Sequence, residues 1–184
     1  TYERLRWRRR KDQNDGALEI LLSAPADAPY ARRWWREREI MARRLLAERD
    51  FETAYRIVAA HNTRDGAEYA EAEFLAGWIA LRFLERPQVA FAHFVDLYDS
   101  VGYSISLSRA SYWAGRAAQA AGDDANAKLW YRTAAAHVTT FYGQLAAHRL
   151  DERSPSALPD EPVIGTRDRL MFDRDELVRA ARLL

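Results

Sequence analysis

One residue pattern recurs four times along this chain at an almost constant interval. Ala17, Ala54, Ala90 and Ala127 stand 37, 36 and 37 residues apart. Four residues after each comes a large apolar side chain: Leu21, Val58, Phe94 and Tyr131. An offset of four puts both side chains on one face of an α-helix. Each alanine also follows a helix-start signal, namely Asn14-Asp15, Asp50, Pro87 and Asp123. Gly77 and Gly115, 38 residues apart, add a second recurrent small residue. A period of this length is what stacked helix pairs produce. The small residue lets two helices approach closely, and the large one a turn later fills the gap to the next pair.

The clearest copy lies between Arg109 and Leu150. Gly122 can take a left-handed conformation and close one helix. Asp123 or Asp124 then caps the next, a cheaper use of this acid pair than acid–base chemistry. The spacing Gly115…Ala127-x-x-x-Tyr131 is close to the tetratricopeptide pattern, in a degenerate form with Ser111 where Trp usually leads. The expected fold class is all-α, an α-superhelix of tetratricopeptide-like helix pairs.

The same reading divides the chain into three parts. Residues 1–150 form the repeat domain. Its expected helices are Tyr2–Lys11, Ala17–Leu22, Ala31–Glu48, Phe51–His61, Glu68–Leu84, Pro87–Asp99, Leu107–Ala121, Asp124–His137 and Phe141–Leu150. A polar hinge is expected over 99–106. Residues 151–172 hold Pro155, Pro159 and Pro162 and read as an irregular connector. Residues 173–184 restart a helix, capped by Asp173 or Asp175, with Leu177, Val178, Ala181 and Leu184 on one face. A helix that begins a repeat without a partner to cover that face leads us to expect that the chain is a fragment of a longer protein.

Composition narrows the function classes. The 184 residues carry 28 basic and 27 acidic side chains, net charge +1, so no strong field for nucleic acid or an acidic membrane is expected. The basic runs Arg4–Lys11 and Arg32, Arg33, Arg36, Arg38 read as solvated helix faces balanced by Glu3, Glu37, Glu39 and Glu48, in preference to an anionic partner. No cysteine is present, which excludes disulfides and thiolate metal sites and suits cytoplasm or periplasm alike. No apolar run approaches the ~20 residues of a membrane span.

Catalytic and metal motifs are absent. His61, His93, His137 and His148 fall at no ligand spacing, and they read as structural or surface histidines. No Gly-rich phosphate loop or nucleophile elbow occurs. No catalytic residue, cofactor or metal is assigned. Six Trp and nine Tyr can line a sugar-binding groove or fill the spaces between helices, and the second use is favoured for Phe74, Trp78, Trp113, Trp130 and Tyr131. For Trp34 and Trp35 the matter is open, because adjacent residues on a helix point about 100° apart.

Four blocks carry a family likeness: Tyr112-Trp-Ala-Gly-Arg-Ala117, Gly122-Asp123, Trp130-Tyr131, and Thr139-Thr-Phe-Tyr-Gly-Gln-Leu-Ala146. Together they resemble the α-superhelical region of the soluble lytic murein transglycosylase family. The start, YERLRWRRRKDQNDGALEILLSAP, and the tail, ELVRAARLL, look like it too. The resemblance implies a periplasmic cell-wall enzyme whose lysozyme-like catalytic module lies C-terminal to the superhelix. That module uses one Glu as general acid and then base to cleave the MurNAc–GlcNAc bond to a 1,6-anhydro product. Its motifs, Glu-Ser and Gly-Leu-Met-Gln, are absent here, so no catalytic glutamate is carried over. The implied role is a non-catalytic scaffold segment holding peptidoglycan glycan strands near that module. Two roles stay open for the Tyr142-Gly143 step: helix packing through close approach at Gly143, and direct glycan contact at Tyr142. The rival reading is a free-standing tetratricopeptide-like adaptor that binds a protein or peptide partner.

Overall fold

Each recurrent alanine occupies the same place in its helix, the first position whose amide is satisfied within that helix. Ala17 donates to Gln13 at 3.1 Å, Ala54 to Asp50 at 3.1 Å, Ala90 to Arg86 at 3.0 Å and Ala127 to Asp123 at 2.9 Å, each acceptor being the N-cap carbonyl. A computed structural model, which describes residues 1–25, 27–150 and 163–183, defines these positions. Among the described residues the chain is all-helical, with no strand. The helices are α1 (Tyr2–Arg10), α2 (Asn14–Leu22), α3 (Ala31–Ala47), α4 (Phe51–Ala59), α5 (Gly66–Arg82), α6 (Pro87–Ser100), α7 (Ser104–Ala120), α8 (Asp124–Ala135), α9 (Phe141–Arg149), α10 (Thr166–Arg174) and α11 (Glu176–Ala181). The chain divides into two compact units, 1–154 and 155–184.

In the first unit α1 packs on α2, and from α3 to α9 each helix packs on the next in sequence; α3 also touches α5, α2 touches α4, and α7 touches α9. Four hairpins share a left-handed residue at the turn. Asp12, Arg49, Glu85 and Gly122 all adopt positive φ, at 54°, 64°, 53° and 80°, and each immediately precedes an N-cap. In three of the hairpins the N-cap amide then reaches back five residues, from Gln13 to Arg8, Asp50 to Leu45 and Asp123 to Ala118, at 2.9–3.0 Å. This satisfies a carbonyl that the helix end would leave free. The α5–α6 turn is one residue longer, and Arg86 reaches back six, to Ala80, at 2.9 Å. Side-chain caps complete two of the starts: Asp50 accepts from the Thr53 amide and Asp123 from that of Asn126.

Packing follows the same register. The four alanines and the large residues after them are all buried. A Cβ on Gly77 would lie 2.8 Å from the Phe94 ring, and one on Gly115 would lie 2.8 Å from the Tyr131 ring. The first helix therefore surrenders a side chain where the second delivers an aromatic one. Ala42 holds the equivalent place in α3, twelve residues before Ala54 as Gly115 is before Ala127, and there the later residue is the smaller Val58. Trp34 and Trp35 are both buried.

Several boundaries differ from expectation for physical reasons. Helix α2 starts at Asn14, because Gln13 supplies the N-cap without any side-chain bond. The polar hinge expected over 99–106 shrinks to 101–103, with α6 running to Ser100 and α7 starting at Ser104. Glu37 and Arg38, read as solvated charges, are buried: their neighbours supply what water would. Arg9 donates to both carboxylate oxygens of Glu37, from Nε at 2.5 Å and Nη2 at 3.4 Å, and so ties α1 to α3. Arg38 donates to the Ile57 carbonyl at 3.0 Å, one of the last-turn carbonyls of α4 that lacks a helical partner. Burial holds its guanidinium down at about 10.

The second unit, described over 163–183, holds α10 and α11, which pack on each other. Helix α10 lies partly in the stretch read as connector, while the three prolines of that stretch lie outside the described residues. Asp175 is the N-cap of α11, accepting from the Leu177 amide at 2.8 Å.

Packing at Gly115 yields the first prediction. Alanine is the better helix former by about 1 kcal/mol. Even so, Gly115→Ala should destabilise the chain by about 1–3 kcal/mol, because the Tyr131 ring must move. Urea unfolding followed by circular dichroism measures the change, and a neutral or stabilising result would contradict the close approach.

Candidate functional site

Three arrangements in the first unit concentrate polar or aromatic chemistry. The first is a shallow groove of about 350 Å³ across α3, α5 and α7, the leading helices of successive hairpins. Trp35, Phe74, Leu75 and Trp78 line it, with Glu39, Arg43, Glu71 and Arg109 among them. Trp78 is half-buried, its ring edge-on to Phe83 at 5.0 Å. Arg109 is half-buried over the face of Phe74 at 4.5 Å, and its Nε has no hydrogen-bond partner. Arg43 pairs with Glu39 at 2.5 Å. An aromatic surface edged by both signs of charge suits an extended ligand with apolar faces and polar edges.

The second is a buried network centred on Glu73, which is 5% exposed. Its two carboxylate oxygens meet two imidazoles, His61 Nε2 at 2.8 Å and His93 Nδ1 at 2.6 Å. The Thr63 backbone N–H donates to His61 Nδ1 at 3.2 Å, which leaves Nε2 as the donor to Glu73. Tyr55 and His93 Nε2 are 3.1 Å apart. The network thus joins α4, α5, α6 and the loop before α5. Burial pushes the Glu73 carboxyl up, but the hydrogen bonds from His61 and His93 outweigh it and hold the group at about 2. Burial, and then the Glu73 charge, raise both the Tyr69 hydroxyl and the Asp96 carboxyl. An anion held this firmly serves as a structural charge. Among the described residues no group of three or more His, Asp and Glu is arranged to hold a metal ion.

The third is a cationic cleft between α7, α8 and α9, lined by Gln119, Asp124, Lys128, Tyr131, Arg132 and Arg149. It adjoins the segment that contains Tyr142. The Tyr142 ring is half-buried, tilted against Tyr112 at 5.4 Å and edge-on to Phe141 at 5.1 Å. Gly143 packs so tightly that a Cβ there would collide with the backbone of His137 and meet Thr140 Oγ1 at 2.9 Å. Thr140 Oγ1 in turn accepts from the Gly143 amide at 3.0 Å as the N-cap of α9. The Thr-Thr-Phe-Tyr-Gly block is thus a helix start that requires glycine.

Tyr142 stands apart from both the groove and the buried network. The sequence reading assigned no role to Glu73, because its partners lie 12 and 20 positions away on other elements. The repeat itself carries the signal. Counting back four residues from Ala42, Gly77 and Gly115 gives Arg38, Glu73 and Ser111, polar side chains in one buried register position.

No protein-family model, curated protein or solved structure matches the chain. No helix among the described residues is long and apolar enough to cross a membrane.

The depressed Glu73 carboxyl sets an acid limit. An unfolded chain takes up this proton near pH 4.5, whereas the folded one resists it until about pH 2. The stability it supplies is therefore complete above about pH 4.5 and is lost as pH falls toward 2. Melting temperatures from pH 6 to pH 2 should fall more steeply for the native chain than for Glu73→Gln. Parallel curves would contradict the network.

Proposed function

We propose that this chain is a non-catalytic scaffold segment of a periplasmic lytic-transglycosylase-type protein, and that its hairpins stack as a tetratricopeptide-like α-superhelix presenting peptidoglycan glycan to a catalytic module elsewhere. Contacts between next-but-one helices and the shared turn register support the superhelix. The observation that carries the functional reading is the groove across α3, α5 and α7, where Trp78 and Phe74 lie beside Arg109 and Glu71. Sugar rings offer apolar faces to aromatic side chains, and the acyl and carboxyl groups of peptidoglycan offer acceptors to Arg109. Tyr142, half-buried against Tyr112 and apart from the groove, would meet glycan only as a second contact. Glu73, ionised at neutral pH and buried, has no proton to give a leaving group.

The second reading is an adaptor for a protein partner. It draws on the same groove, whose rim sets Glu39 and Arg43 beside Glu71, a pattern that suits a peptide bearing both charges.

Co-sedimentation with insoluble peptidoglycan at low salt tests the proposal. The native chain should be retained, and Trp78→Ala/Arg109→Gln should reduce the bound fraction at least about threefold at unchanged helical content, the size that a lost stacking contact implies. Absence of retention by the native chain would sink the scaffold reading and favour the adaptor.

A further inference from the structure

Ion pairs are unevenly shared along the chain. Among the described residues, every arginine–carboxylate pair lies at or before Arg86, apart from the Arg182–Asp173 pair. From α7 to α9 the chain carries Arg109, Arg116, Lys128, Arg132 and Arg149 against only Asp123 and Asp124. Asp123 is already engaged as the α8 cap.

Three of these cations meet in the cleft between α7, α8 and α9, which has a volume of about 390 Å³. Lys128 and Arg132 stand one turn apart on α8, both exposed. Like charges at that spacing repel, so the helix gains nothing from having them there. Arg149 comes from the end of α9 and is held in place. Its Nε donates to the Tyr112 hydroxyl at 3.2 Å and its Nη1 to Gln119 Oε1 at 3.3 Å. The same Gln119 oxygen accepts from the Tyr131 hydroxyl at 2.9 Å. The guanidinium also lies over the Tyr112 and Tyr131 rings, 5.9 and 5.8 Å from their centroids. Among the described residues two of its five N–H donors are used. Among the described residues of the lining Asp124 is the single acidic side chain, against Lys128, Arg132 and Arg149.

We infer that this cleft binds an oxyanion, a carboxylate or a phosphate carried by a ligand. Arg149 is an oriented fork, and Lys128 and Arg132 add exposed positive charge from α8. The site is separate from the α3–α5–α7 groove and does not depend on the glycan reading.

Thermal melting in sodium phosphate or sodium succinate, against sodium chloride at equal ionic strength, tests it. At about 10 mM, one or both anions should raise Tm by about 2 °C or more over chloride. Comparing the phosphate and succinate arms shows which group is preferred. Lys128→Gln/Arg132→Gln removes two exposed charges without touching the core, and should abolish the shift. Arg149→Lys keeps the charge but loses the fork, and should at least halve it. No shift with either anion, or an equal shift in the double variant, would overturn the site. A shift seen only in Asp151→Asn/Glu152→Gln would also overturn it, because the carboxylates that follow α9 in sequence would then be the natural occupants.

Discussion

The left-handed residue before each second helix of a hairpin is the constraint on which the first unit depends. It reverses the chain and sets the N-cap one residue later. The N-cap amide then satisfies a carbonyl of the preceding helix, and the alanine four residues on comes to lie against that helix. Gly122 takes this conformation without strain and Asp12 with little, whereas Arg49 and Glu85 each bear a cost of about 1–2 kcal/mol in it. The buried alanines and the residues after them supply the packing that offsets this cost.

Once the turns are in register, the polar interior follows. Arg38, Glu73 and Ser111 take one position in three successive leading helices, and each solves its burial differently. Arg38 closes the end of α4 by its bond to Ile57. Glu73 collects two imidazoles from neighbouring elements. Ser111 returns its hydroxyl to the Leu107 carbonyl of its own helix. Of the three, the Glu73 network joins one hairpin to the next through specific partners, where apolar contacts alone would tolerate slippage. The groove lies across the same helices, so its aromatic and charged side chains are positioned by the repeat.

Periodicity made the helices and much of the core legible from the amino acids alone. Alanine and a large residue at a fixed offset report burial directly, and Gly77 and Gly115 report close approach. The left-handed turn was legible only at Gly122, because Arg49 and Glu85 are residue types that normally avoid positive φ and Asp12, more tolerant of it, carries no local turn signal of its own. Glu37 read as a surface charge because its partner Arg9 lies 28 residues away on another helix. Nor did the Glu73 network have a local pattern, since it is assembled from residues on three helices and a loop. The cationic cleft was invisible for the same reason: Arg149 reaches Lys128 and Arg132 only through the fold of α7 to α9.

The most telling test of the shared turn is backbone NMR of the first unit. Cα, Cβ and carbonyl shifts, with intraresidue amide–Hα couplings, report φ at individual residues. The structure requires positive φ at Asp12, Arg49 and Glu85 as well as at Gly122. Helical or extended φ at any of the three non-glycine positions would contradict the common turn, and with it the register that places the polar interior and the groove.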